Sequence, residues 1–163
     1  MKAVSDIGLI GLAVMGENLV LNMESKGFHV SVYNRTVEKV ENFVNGRGKG
    51  KNIYGATSLE DLVASLKAPR KVMLMVKAGQ AVDDFIDKLI PLLEPGDVII
   101  DGGNTHFPDT NRRTAYVESK GLLYKVHGSA RLANPHIADR DLMTKSLLNR
   151  DAKQRIASRA LEL

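Results

Sequence analysis

With 163 residues, 44% of them apolar and 26% charged, the chain has the length of one medium domain and a composition able to build its own core. No apolar run approaches the roughly 20 residues that span a bilayer, and the absence of cysteine excludes disulfides, thiol catalysis and cysteine-held metal. The formal charge of +4 does not point to nucleic acid: the densest cations, Arg47, Lys49 and Lys51, are interleaved with glycines, and with 5% aromatics and no Trp there is no base-stacking platform. From Met1 the chain runs directly into a strand-like segment with no room for a signal peptide, which predicts a cytoplasmic protein with no membrane partner.

In chain order, strands rich in Val, Ile and Leu are predicted at residues 6–10, 29–33, 52–55, 71–76, 97–101 and 122–126. Between the first two, residues 15–26 place Leu19, Val20 and Met23 on one helical face and stop at Gly27. Residues 36–45 repeat this with Val37, Val40 and Val44 and stop at Gly46. Ser58 and Asp61 form a capping-box pattern ahead of Leu59, Leu62, Val63 and Leu66, a longer helix is predicted over 81–93, and Pro108 opens a polar helix towards Lys120. Such alternation predicts a Rossmann-like, doubly wound parallel α/β sheet over residues 1–124. Beyond Tyr124 the rhythm breaks, so residues 125–163 are expected to be a divergent, helical tail.

Behind the first predicted strand stand Gly11, Leu12, Ala13, Val14, Met15 and Gly16, with Gly11, Ala13 and Gly16 at the spacing of a G-x-G-x-x-G turn and alanine in the middle position. Gly11 permits the tight turn, Gly16 lets the helix pack close to the strand, and the helix N-terminus offers N–H groups and partial positive charge to a pyrophosphate. Ordinary strand-to-helix turns also use glycine; the flanking strand and helix favour a dinucleotide here. At the end of the second strand an NAD site would place an acidic residue against the ribose, but this chain has Asn34, Arg35 and Thr36. Arg35 suits a 2′-phosphate and Thr36, capping the next helix, adds a hydroxyl, so NADP is the expected cofactor. Taken alone, Arg35 reads equally well as a solvated cation; its place ~20 residues past the turn favours the cofactor.

The stretch 10–16, Asn34-Arg35-Thr36, Val76-Lys77-Ala78-Gly79 and Asp101-Gly102-Gly103-Asn104 occur together in this order, and through them the chain resembles 6-phosphogluconate dehydrogenase from residue 3 to about 124. The resemblance implies oxidation of 6-phosphogluconate with NADP and decarboxylation of the 3-keto intermediate to ribulose 5-phosphate, in the pentose phosphate pathway, by a homodimer. It implies that Gly11, Leu12, Ala13, Val14, Met15 and Gly16 hold the pyrophosphate and that Asn34, Arg35 and Thr36 hold the 2′-phosphate. Val76, Lys77 and Ala78 would line the nicotinamide side, and Asn104 would touch both cofactor and substrate. Without the resemblance, Val76 and Ala78 read as sheet packing and Asn104 as a turn residue. The family's serine-glycine-glycine loop and its helical domain, with a lysine base and a glutamate acid, find no match after Tyr124, where only Gly128 and Ser129 echo the loop. No catalytic residue is therefore assigned.

Within the tail, Asp151 and Gln154 suggest a second capping box, and residues 147–156 resemble a segment near the end of protein kinase domains, without any kinase glycine loop or His-Arg-Asp. His29, His106, His127 and His136 are too scattered for a metal site. Asp101 reads as a strand terminus, Asp83 and Asp84 as helix surface, and Met73 and Met75 as core. The leading expectation is the cofactor part of an NADP-dependent 6-phosphogluconate dehydrogenase, truncated before its catalytic domain. The alternatives are a non-catalytic NADP-binding or regulatory module that associates with full-length subunits, and another β-hydroxyacid dehydrogenase such as a 3-hydroxyisobutyrate dehydrogenase.

Overall fold

The six apolar runs pair as one parallel sheet. The computed structural model describes residues 5–126; the expectations for residues 127–163, including the tail helices, the kinase-like segment, His127 and His136, lie outside them. The strands are β1 (Ile7–Ile10), β2 (Val30–Tyr33), β3 (Ile53–Gly55), β4 (Lys71–Leu74), β5 (Val98–Asp101) and β6 (Leu123–Val126), in the order β3-β2-β1-β4-β5-β6. This is the doubly wound order: the chain leaves β1 in one direction, returns across the sheet after β3 and continues in the other, so β1 and β4 sit side by side at the switch.

Strand alternation divides the sheet into two dry faces. Leu9, Val30 and Val32 pack with Val20 of α1 (Val14–Ser25) and Val40 and Phe43 of α2 (Val37–Asn45). Ile10, Val72, Leu74 and Ile99 face the other way, against α3 (Leu59–Ala64), α4 (Gln80–Leu89) and Val117 of α5 (Phe107–Glu118). Each fully buried Leu, Ile or Val side chain contributes about 1.5–3 kcal/mol, so burial on both faces explains why these strands read as continuous apolar runs. One polar exception is Ser31, whose hydroxyl lies 2.9 Å from that of Ser5 and 2.7 Å from that of Ser65 in a buried trio. No helix among the described residues is long and apolar enough to cross a membrane.

Several local expectations need correction. The helix predicted over 81–93 ends at Leu89 and continues only as a 3₁₀ turn, Ile90–Leu92, because Pro91 has no N–H to donate. β4 ends at Leu74, although the Met75 N–H still donates to the Ile10 carbonyl at 2.8 Å before the chain leaves the sheet. Ser58 caps α3 by accepting from the Asp61 N–H at 3.1 Å, while the Asp61 carboxylate accepts from the Tyr54 hydroxyl and the Thr57 N–H. Asp83 is not simply helix surface: its carboxylate is gripped by Arg112 and Arg113 of α5. Asp101 does end β5, but its side chain is buried.

Carboxylates paired within the fold make stability pH-dependent. Hydrogen bonds from Arg113 hold Asp83 below the ordinary aspartate value of 3.8. Burial pushes Asp97 up, but the backbone N–H groups of Glu94 and Arg70 and the Arg70 guanidinium outweigh it and hold Asp97 low. A carboxyl lowered on folding contributes stability that is present above its unfolded value and lost as pH falls through the folded one. Urea midpoints should therefore be level from about pH 7 to 5 and fall below about pH 4, and Asp97→Asn should flatten part of that acid limb while lowering stability at pH 7.

Candidate functional site

The carboxyl ends of β1, β4 and β5 open onto a groove, and the turn between β1 and α1 divides it. Gly11 has φ +109°, a left-handed conformation that side chains rarely adopt, and a Cβ there would run into the Met75 carbonyl. A Cβ on Gly16 would run into the Gly11 carbonyl, so α1 packs against the turn with backbone alone. Ala13 stands differently: it is the N-cap of α1 with extended backbone (φ −96°, ψ 177°) and an exposed side chain, which explains why this position accepts alanine. No side chain of the cap closes that helix end, so its first N–H groups stay turned to the groove.

On one side of the turn lies a cleft of about 320 Å³ lined by Gly11, Leu12, Ala13, Asn34, Arg35, Thr36, Lys39, Val76 and Lys77 among others, with no Asp or Glu. The Asn34 side chain braces this corner, accepting from the Leu12 N–H at 3.1 Å and donating to the Thr36 carbonyl at 3.2 Å. Its amide thus ties β2 to the glycine turn, a use that the sequence reading did not foresee. Thr36 is the N-cap of α2, as expected, but its hydroxyl makes no capping bond. Arg35 and Lys77 are exposed. Lys39, in the first turn of α2, was missed, although its place three residues past the expected Thr36 cap is legible in the sequence.

A larger cleft of about 820 Å³ lies on the other side, lined by Ala13, Val14, Met15, Gly16, Met75, Val76, Asn104, Thr105, Phe107 and Val126 among others. Ala13, Met75 and Val76 border both clefts; Met75 packs on the core as expected and also forms cleft wall. Ala78 is exposed on the same loop but lines neither. Val14, Met15 and Phe107 leave apolar rims 74%, 73% and 72% exposed. Asn104 is exposed at the mouth, and His106 is the exposed N-cap of α5.

The loop carrying Asn104 is organised from below by Asp101, which accepts from the Gly103 N–H at 2.9 Å, the Thr105 hydroxyl at 2.6 Å and the Tyr124 hydroxyl at 2.9 Å. Burial, and then the Asp101 carboxylate, push the Tyr124 phenol well up, so it stays a protonated donor. The structure thus brings every predicted site residue except Ala78 to the two clefts.

Because the Gly11 and Gly16 contacts involve backbone, Gly11→Ala and Gly16→Ala should each cost about 1–3 kcal/mol in urea unfolding. Ala13→Gly, at an N-cap that tolerates either residue, should change stability by less than about 1 kcal/mol.

Comparison with known proteins agrees with this geometry. A family model described as the NAD binding domain of 6-phosphogluconate dehydrogenase matches residues 6–127. The 6-phosphogluconate dehydrogenase (decarboxylating) of Dictyostelium discoideum is 67% identical over 123 residues, which are 76% of this chain and 25% of that protein. The corresponding protein of Cunninghamella elegans is 63% identical over 127 residues, 78% of this chain and 26% of its own length. Among solved structures, Plasmodium falciparum 6-phosphogluconate dehydrogenase, studied in its apo form, with NADP+ and with 6-phosphogluconate, superimposes with a TM-score of 0.68 at 48% identity, covering 73% of this chain and 26% of that one. This chain spans about a quarter of the length of these relatives. The doubly wound fold, the glycine turn and these identities together show that the chain belongs to the 6-phosphogluconate dehydrogenase family, matching its NAD-binding domain.

Proposed function

We propose that the chain binds NADP across the two clefts, as the cofactor domain of a longer 6-phosphogluconate dehydrogenase that oxidises and decarboxylates 6-phosphogluconate. The observation that carries this reading is the smaller cleft, which Arg35, Thr36, Lys39 and Lys77 line together with no carboxylate. A carboxylate there would repel a 2′-phosphate, whereas a guanidinium binds it through charge-assisted hydrogen bonds. In this reading the open N-terminus of α1 receives the pyrophosphate, Val76, which borders both clefts, flanks the nicotinamide, and Lys77, expected beside it, lies instead in the Arg35 cleft. Asn104, exposed at the mouth of the larger cleft, touches both cofactor and substrate. Bound NADP supplies the hydride acceptor, and the chain's own residues bind and orient it. The binding of NADP+ and 6-phosphogluconate by the Plasmodium relative supports the assignment. The same reading places the protein in the cytoplasm and, when extended to the length of its relatives, in a homodimer.

Calorimetric titration tests the cofactor assignment. NADP should bind more tightly than NAD by about 1–3 kcal/mol, and Arg35→Ala should remove most of that difference. Equal affinities in the unaltered chain would overturn the 2′-phosphate site. A second expected outcome concerns turnover: the 163-residue chain should not oxidise 6-phosphogluconate measurably, because positioned acid and base groups contribute about 10²-fold to 10⁴-fold each and the family's lysine and glutamate have no match in it. Spectrophotometric NADPH formation above background, in protein freed of host dehydrogenase, would contradict this.

A further inference from the structure

Beneath the loops that wall the larger cleft lies a buried charge network that none of the proposed ligand contacts uses. The guanidinium of Arg113, on α5, is only 1% exposed. Its Nε and Nη2 donate to the Asp83 carboxylate of α4 at 2.8 and 2.9 Å, and Nη2 also donates to the Gly79 carbonyl at 2.9 Å. Its Nη1 faces Oδ2 of Asp101 at 4.0 Å and has no hydrogen-bond partner among the described residues. Gly79 ends the loop that leaves β4 at Met75, and Asp101 anchors residues 103 and 105 of the loop that leaves β5. One side chain therefore touches the base of one cleft wall and faces the anchor of the other. The walls also meet directly, since a Cβ on Gly102 would sit 2.6 Å from Sδ of Met75.

Burying a guanidinium is unfavourable unless its donors are matched, and an apolar side chain of similar volume commonly stabilises a core as well or better. Packing alone thus gives no reason for an arginine here, whereas a rigid fork that joins two helices and a loop carbonyl does. We propose that Arg113, held by Asp83, is a positioning residue that sets the spacing between the 75–79 and 102–105 loops and thereby the fit of the nicotinamide half of the dinucleotide. The inference rests on the NADP reading above. The 102–105 loop borders only the larger cleft, whereas Met75, Val76 and Lys77 also border the Arg35 cleft, so loss of this support falls most heavily on the ligand half in the larger cleft.

The test is titration of NADP and of adenosine 2′,5′-bisphosphate, which lacks the nicotinamide half, into the full chain, Arg113→Lys and Asp83→Asn. Lysine keeps the charge but loses the fork, and asparagine at 83, which lines neither cleft, keeps the shape of the partner but removes the charge that holds the guanidinium. Each variant should weaken NADP about tenfold, the scale of one misaligned hydrogen bond, and weaken the bisphosphate severalfold less. Unchanged NADP affinity in a folded variant, or equal weakening of both ligands, overturns the positioning role. Should Arg113→Lys fail to fold, Asp83→Asn decides by the same criteria. An unaltered chain that binds neither ligand overturns the cofactor reading itself and this inference with it.

Discussion

Where β1 passes into α1, three pieces of backbone meet without space for a Cβ between them: the left-handed Gly11, the Met75 carbonyl leaving β4, and Gly16 in the first turn of the helix. This close approach sets the height of α1 over the sheet and aims its uncapped N-terminus into the groove between the two central strands. Both clefts are defined by it, since each is bordered by Ala13, Met75 and Val76. The middle position of the motif escapes the constraint because its backbone is extended and its side chain points to solvent. A glycine motif is thus a set of separate steric demands, and only the positions facing another backbone are bound to glycine.

Around this fixed turn the two ends of the groove differ in chemistry. The α2 side is cationic and free of carboxylates in its lining, with Asn34 spanning from the turn to the helix cap. The α5 side is larger, apolar at its rims and built on a loop whose polar groups are gathered by one buried aspartate. An anionic group and a flatter, less charged ring would each find a suitable end, and this division favours one elongated ligand lying across the turn.

Charged groups inside the domain sit at the sheet ends, where loops must be held without long stretches of regular hydrogen bonding. Asp97 secures the amino-terminal ends of β4 and β5 through Arg70 and two backbone N–H groups, and Asp101 and Arg113 hold the opposite end. Matched donors make these burials tolerable, and their directionality fixes loop geometry in a way that non-directional apolar packing does not.

The order of strands and helices, the glycine turn and the cationic Asn34-Arg35-Thr36 corner were all determined by local sequence. Period, turn residues and spacing are properties of neighbouring positions, and they are legible one segment at a time. Helix ends blurred where a proline converted α4 to a 3₁₀ turn and where Met75 keeps one sheet bond after its strand has ended. Asp83 and Arg113 were invisible for a different reason: on their own helices each looks like a solvated charge, and only the packing of α5 on α4 brings them together across 30 residues of chain. Asn34 was legible as a residue of the cofactor corner, but its bond to the N–H of Leu12 was set only by the fold. Tertiary structure decided which polar residues were buried, because desolvation and hydrogen-bond matching depend on partners distant in sequence, whereas the hydrophobic pattern and the glycine spacing carry their information within a single turn of chain.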